Sequence, residues 1–404
     1  MNLIVALRRS LLPAFALLTA FVYHACTDAT SRSSVASHPF PEALRDPDLQ
    51  ALVAEYDRFF ADSMNGSRTP GAAVVIVKDS VVIFQRGYGL KSTKGSDSAG
   101  VHTVFRIGSL SKGFAGVLTG ILVQEGKLNW DDRIVRYVPE FRLSSAEQTR
   151  QITLSHLLSH TTGLPYHAYT DMIESGFSLK DIAPRFERLR LYGKPGEAFS
   201  YQNVAFSLVG EAMQFATGKT YAEVLRDKIF KPAGMLTASA DWESIHQNTD
   251  KAMPHHSTGA GWVPDTISRR FYNAAPAGGV NASIADMGEW LKVLLGHRPD
   301  IVSKATLDRV FQPVIRTNNE RRYFRHWSGN KEAWYGMGWR VLVNDKDTIV
   351  YHGGAVNGFR GEIALDRRHG IAICALFNAS TELPSASIPA FFERYRRIVG
   401  EKGK

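Results

Sequence analysis

The sequence predicts an α/β fold of the α+β type: an antiparallel sheet flanked by helices, with an inserted all-α region. Three observations carry this. Near the amino end, the apolar runs Ala72-Ala-Val-Val-Ile-Val and Val81-Val-Ile-Phe-Gln-Arg86 flank a short polar turn, Lys78-Asp-Ser80, and so make a β-hairpin. Strand signals return only near the carboxyl end, at Tyr335–Val343, Asp347–His352, Gly361–Leu365 and Ile371–Phe377. Between them, over about 109–325, apolar residues recur mostly at helical spacing. The sheet is therefore assigned to 70–90 and 335–380, completed by the two chain ends.

A chain of 404 residues, 44% hydrophobic and 22% charged, can bury a large core and implies neither a long disordered region nor a repeat array. The formal charge of +9 includes Arg8 and Arg9 of a probable leader. No long Lys/Arg run or nucleic-acid motif accompanies it, so a solvated basic surface is read and nucleic acid is excluded as a partner.

Taken in order, residues 1–26 place Arg8-Arg9 before an apolar run from Leu11 to Tyr23, the layout of a secretory signal peptide and too short for a membrane span. Cys26 resembles the lipid-modified cysteine of bacterial lipoproteins, although Tyr23 and His24 depart from the usual residues before it; conventional cleavage nearby is the alternative. Export is expected, to the periplasm or to a membrane anchored through the N-terminus. Residues 27–47 read as a linker, rich in Ser, Thr and Ala. The domain proper is 48–400. It opens with an amphipathic helix whose apolar face is Leu49, Leu52, Val53, Tyr56, Phe59 and Phe60, with Asp48 as candidate cap. After the hairpin, Phe114, Val117, Leu118, Ile121 and Leu122 give one buried face of a helix starting near Ser109. Further helices are read at Val204–Thr217 and Tyr221–Ile229. A final one carries Ile388, Phe391, Phe392, Tyr395 and Ile398 on one face. Cys374 sits in a buried strand as a small core residue, and two cysteines give no disulfide framework.

The chemistry starts at Ser109. Lys112 follows three residues later, about one turn on, so its amine can reach the Ser109 hydroxyl. The helix start adds unsatisfied N–H groups that favour an oxyanion. Ser-x-x-Lys alone is weak evidence, because a capped helix start reads the same way. Two further motifs follow: Ser200-Tyr201-Gln202-Asn203 before a helix, and His352-Gly353-Gly354-Ala355 ending a strand. Each has a bland reading as well, in which Tyr201 packs, Asn203 caps and the glycines turn. His156 and His160 are spaced i, i+4, but no Glu follows His156, so they are read as structural hydrogen-bonding histidines and no metal is assigned.

In this order the motifs resemble those of the penicillin-recognising serine hydrolases, in the class C β-lactamase-like branch. That branch includes D-alanyl-D-alanine carboxypeptidases, D-aminopeptidases and esterases. Pro70-Gly-Ala-Ala-Val-Val, the run from His156 to Pro165, Pro276-Ala-Gly-Gly279 and Tyr335-Gly-Met-Gly-Trp339 look like family signposts, and the likeness covers about Leu49 to Phe392. The resemblance implies the β-lactamase/transpeptidase-like fold and a Ser109 acyl-enzyme formed without cofactor. Lys112 and Tyr201 would share proton handling, with either as base. Asn203 would hold Lys112 or a substrate amide, and the N–H groups of Ser109 and Ala355 would form the oxyanion hole. His352, Gly353, Gly354 and Ala355 would bind substrate, the glycines by admitting it to the strand edge.

One departure matters. Class C β-lactamases usually carry Lys-Thr-Gly where this chain has His352-Gly353-Gly354, which puts efficient β-lactam hydrolysis in doubt. No Gly-x-Ser-x-Gly elbow is present, which disfavours an α/β-hydrolase. The expected activity is cleavage of amide, lactam or ester bonds in a small molecule or peptide, foremost a peptidoglycan stem peptide or a β-lactam. The alternatives are an esterase or D-aminopeptidase on the same fold, and a non-catalytic cell-envelope binding or assembly protein.

Overall fold

Eight strands form one antiparallel sheet, and both chain ends supply them. Gly71–Lys78 (β1) and Val81–Gly89 (β2) are the amino-terminal hairpin. Val104–Arg106 (β3) pairs with Asn281–Ser283 (β6), and His255–Thr258 (β4) with Gly261–Pro264 (β5), as separate two-stranded ribbons. The carboxyl end contributes Ile315–Arg316 (β7), Glu332–Tyr335 (β8), Arg340–Val343 (β9), Thr348–Val356 (β10), Phe359–Asp366 (β11) and Ile371–Phe377 (β12). The order across the main sheet is β2-β1-β12-β11-β10-β9-β8-β7. The first and last strands in sequence are thus central neighbours, with Val75 opposite Cys374. This computed structural model describes residues 45–317, 323–329, 332–344 and 347–400. The leader 1–26 with Cys26, and the linker up to residue 44, lie outside the described residues.

The central strands read as continuous apolar runs because both their faces are covered. On β1, Ala73, Val75 and Val77 join the core under the helical region, whereas Ala72, Val74 and Ile76 face the opposite layer. That layer is made by the first helix, Pro47–Ser67 (α1), and the last, Leu383–Ile398, whose Tyr56, Phe60, Phe391 and Phe392 pack together. The cap of α1 is Asp46, which accepts from the Asp48 N–H, with Pro47 in the first turn; Asp48 itself is already helical. Both helical runs read in the middle of the chain are interrupted. The first divides into Asn203–Ser207 and Val209–Thr217, and the second passes from Tyr221–Leu225 into a π-type turn, Arg226–Phe230. The middle region also holds the short β pairings named above, so it is mainly but not wholly helical. Likewise Tyr335–Val343 is two strands, because Gly336–Trp339 turns the chain between them.

Helix Ser111–Gln124 (α2) is the pillar of the helical layer, and every residue from Ser111 to Leu122 is buried. Gly113, Gly116 and Gly120 lie on one face of it, and this face is stripped of side chains for a reason. A Cβ at Gly113 would fall 2.3 Å from the Trp339 ring, and one at Gly116 2.0 Å from the Met337 carbonyl oxygen. The turn between β8 and β9 therefore rests directly on the α2 backbone.

Gly116→Ala is expected to destabilise the fold by about 1–3 kcal/mol through overpacking against that carbonyl. Gly66→Ala, at a helical position with nothing within 4 Å, is expected to be neutral or stabilising by up to about 1 kcal/mol. Urea unfolding of the two variants checks the contrast; equal stability would mean that the α2 contact is not tight.

Candidate active site

Ser109 lies in a single 3₁₀ turn, Gly108–Leu110, that runs straight into α2. With three residues per turn, Ser109 and Lys112 come to the same side, and the Lys112 Nζ is 3.3 Å from the Ser109 Oγ. Neither helical segment has a side-chain cap, so Ser109 is not spent as one. Ser111 instead ties the turn down, donating to the Gly108 carbonyl and accepting from the Val280 N–H.

The Lys112 amine is fully buried, and burial, followed by the nearby Arg340 charge, holds its pKa well below the usual lysine range. A neutral amine has two N–H groups. Asn203 Oδ1 at 2.8 Å and the Ala277 carbonyl at 2.9 Å accept both, which leaves the nitrogen lone pair for the Ser109 hydroxyl. Asn203 is the first residue of its helix and its side chain makes no cap, so its amide is committed to Lys112. The Tyr201 ring flanks the same amine, with Nζ 4.7 Å from its centroid.

The sheet wall of the site is β10. Its pairing with β9 ends at Tyr351 opposite Arg340, whereas its pairing with β11 continues to Val356. From His352 onward one edge of β10 is left to the cleft. Two glycines let the serine turn lie against it. A Cβ on Gly108, where φ is +54°, would stand 2.8 Å from the Ala355 nitrogen, and one on Gly354 2.9 Å from the Ser109 nitrogen. Gly108 thereby rests on Ala355 and Gly354 on Ser109, which brings the Ser109 and Ala355 N–H groups to the same part of the cleft, where they could serve as an oxyanion hole.

Ser109, Tyr201, Asn203, Gly353 and Ala355 line one cavity of about 380 Å³, together with Tyr166, His167, Glu174, Phe271, Tyr323 and Arg340. Lys112 and His352 sit behind its wall, both fully buried. The Gly353 position is free of a side chain because Tyr323 Oη would lie 2.2 Å from a Cβ there. His352 points away from the cavity toward Tyr335 Oη at 3.1 Å and an Arg340 nitrogen at 3.4 Å. His156 and His160 do not share a helix face. The helix ends at Leu158, and His160 takes the left-handed conformation with φ of +58°. His156 Nδ1 accepts from the Thr153 N–H in a capping box, and His160 bonds Gln202 and Tyr335.

Sequence reasoning missed Arg340. It is buried, its guanidinium stacks 4.1 Å from the Tyr323 centroid, and it faces the same cavity as Ser109. It follows directly on the Tyr335–Trp339 signpost, but only the β9–β10 register brings it beside His352. His167 was missed too. It lines the cavity at 3.4 Å from Asn203 Nδ2, and burial, with Lys112 close by, lowers its pKa. His167, Phe271 and Asn357 all hold positive φ at the cavity, which is backbone strain concentrated at the site.

Known proteins place this geometry. The Staphylococcus aureus protein flp (strain N315) is 26% identical over 335 residues, 81% of this chain and 63% of its own length. The unguisins hydrolase ungD' of Aspergillus campestris is 26% identical over 322 residues, 77% of this chain and 59% of its own. The chain thus spans about three fifths of the length of these relatives. Among solved structures, the octameric penicillin-binding protein homologue from Pyrococcus abyssi is similar with a TM-score of 0.73 and 25% identity, covering 86% of this chain and 77% of that one. Residues 56–394 match the beta-lactamase family. With that match over most of its length and the sheet and helices arranged as in the penicillin-binding homologue, the chain belongs to the beta-lactamase family of the serine β-lactamase and penicillin-binding protein superfamily.

Proposed function

We propose that this protein is a serine hydrolase that opens amide or lactam bonds in substrates carrying a carboxylate, such as D-alanyl peptides or β-lactams, through an acyl-enzyme on Ser109. The observation that carries this reading is the Lys112 amine, whose two N–H groups have fixed acceptors and whose lone pair is left for Ser109. Lys112 takes the hydroxyl proton as Ser109 Oγ attacks the carbonyl carbon. The oxyanion that forms is held by the Ser109 and Ala355 N–H groups. The proton then passes to the leaving nitrogen as the C–N bond breaks, with Tyr201, whose ring flanks the Lys112 amine, as its carrier. Water cleaves the resulting ester and restores Ser109.

The carboxylate preference rests on Arg340. His352 stands where class C β-lactamases usually carry a strand lysine, and burial with the adjacent Arg340 charge keeps its imidazole well below the usual histidine range and therefore neutral. The permanent cation comes instead from the neighbouring strand β9. The exposed edge of β10 offers an extended peptide a strand to pair with, which suits the same substrates. Membrane attachment through Cys26 belongs with this reading of a cell-envelope enzyme and is proposed with it. The esterase alternative uses the same Ser109 chemistry with a neutral substrate.

Intact-mass spectrometry with a penicillin and a fluorophosphonate is expected to show adducts on the wild type and none on Ser109→Ala. Labelling that survives Ser109→Ala would sink the nucleophile assignment, and an unlabelled wild type would favour the binding-protein alternative.

Arg340→Gln is expected to lower kcat/KM for carboxylate-bearing substrates by the roughly 1.5–3 kcal/mol of a charged hydrogen bond, about tenfold to a hundredfold, while a neutral nitrophenyl ester is spared. The same variant tests the pH dependence. Lys112 is active as the neutral amine, so activity is present above its folded pKa and lost as pH falls through it. Removing the Arg340 charge raises that pKa, and the acidic limb should move to higher pH. An unshifted limb would count against Lys112 as the base.

A further inference from the structure

We propose that His160 and Tyr335 are positioning residues. With His352 they form a one-directional hydrogen-bond chain that holds the Tyr201–Asn203 loop in register with the Gly353–Ala355 strand. The inference rests on the hydrolase reading of that site.

Each proton in the chain is fixed by a partner that has no choice. The Gln202 backbone N–H can only donate, and it lies 3.1 Å from His160 Nδ1. His160 Nδ1 is therefore an acceptor, and the proton of the neutral ring is on Nε2, 3.2 Å from Tyr335 Oη. At the other end, the Gly353 carbonyl can only accept, and it lies 2.7 Å from His352 Nδ1. His352 thus carries its proton on Nδ1 and presents a lone pair at Nε2, 3.1 Å from Tyr335 Oη. Of its two imidazole neighbours Tyr335 can donate only to His352, so the chain runs from Gln202 to His160 to Tyr335 to His352 to Gly353.

The ends of this chain are the two catalytic walls. Besides its ring, the His160 carbonyl accepts from the Ser200 N–H at 2.9 Å, so one residue in a left-handed conformation grips the loop on both sides of Tyr201. The His160 ring also packs 4.2 Å from the Tyr201 ring. His352 directly precedes the two glycines and Ala355 of the oxyanion wall, and an Arg340 nitrogen also points at its Nε2 from 3.4 Å. The walls come from opposite sides of the cleft. Tyr335 on β8 is the bridge between them.

The chain works only while both imidazoles are neutral. The groups that face His352 are Arg340 from β9, Lys112 from α2, Tyr335 from β8, and His160 and Tyr201 from the helical side. None of these is an anion, and His160 is held neutral chiefly by burial, to which the Arg340 charge adds. A proton on His352 Nε2 would point at the Arg340 guanidinium and take away the acceptor that Tyr335 needs.

The test is ¹⁵N NMR of the histidine rings in the whole protein, assigned with His160→Gln and His352→Gln, beside Tyr335→Phe. The wild type is expected to show His160 protonated at Nε2 and His352 at Nδ1. In Tyr335→Phe, His352 loses the O–H that favours its neutral form and should titrate at higher pH. kcat for a neutral nitrophenyl ester should fall about tenfold to a hundredfold with little change in KM, as for a small misplacement of reacting groups. Either ring found in the opposite tautomer would overturn the chain, as would a Tyr335→Phe protein whose His352 titration and kcat match the wild type. Fluorophosphonate labelling of Ser109 in the same samples judges the hydrolase reading separately, because the ring tautomers are read without turnover.

Discussion

The site depends on one constraint: an amine buried completely among uncharged partners. Lys112 has the Asn203 amide oxygen, the Ala277 carbonyl and Ser109 within hydrogen-bond reach, and the aromatic faces of Tyr201 and Phe206 on either side. None of these contacts supplies a negative charge to offset the loss of hydration, so the ammonium form is disfavoured and the amine becomes a base. The close rest of Met337 and Trp339 on Gly116 and Gly113 of the same helix sets where β9, and with it Arg340, begins.

The groups around the base are all shifted one way, although Glu174 also lines the cavity. Lys112, His160, His167 and His352 each have their pKa lowered chiefly by burial, and the Arg340 charge adds to this at Lys112, His160 and His352. The buried carboxylate of Glu362 is tied to Tyr351 and Arg360 and, beside Gly353, also feels the Arg340 charge. A field of this sign opposes protonation of the base and at the same time favours an oxyanion at Ser109 and a carboxylate near Arg340. One charge arrangement thus serves base, transition state and substrate, and the replacement of a strand lysine by His352 weakens none of the three while Arg340 stands beside it.

Much of this was legible from the sequence and some was not, for identifiable reasons. The hairpin, the carboxyl-terminal strands and the helix after Ser109 could be read because their apolar runs are buried on both faces or at helical spacing. Ser109, Lys112, Tyr201 and Asn203 were legible as motifs, and the structure brings them together. Asp46 rather than Asp48 caps α1, because Pro47 in the first turn fixes the start two residues earlier than the apolar pattern suggests. His352 reads locally as a substrate contact, yet its side chain turns inward. That reversal comes from strand register and from Tyr335 and Arg340, which are distant in chain order from the serine. Arg340 itself carries no local signal, since an arginine opening a strand is ordinary until its cross-strand neighbour is known.

Register also explains why the site cannot form before the sheet does. The serine turn follows the amino-terminal hairpin, the Tyr201 loop and the Ala277 carbonyl belong to the helical middle, and Arg340 and Ala355 belong to strands that pair only after the carboxyl end is in place. β1 pairs with β12, the last strand in sequence, and the serine turn is seated against β10 two strands away. Closing such long-range pairings carries an entropy cost that local helix contacts do not. The Lys112 contacts with Asn203 and Ala277 come from the helical middle, whereas Arg340 and the Ala355 N–H reach the site only with the carboxyl-terminal strands, so the complete site needs both ends of the chain.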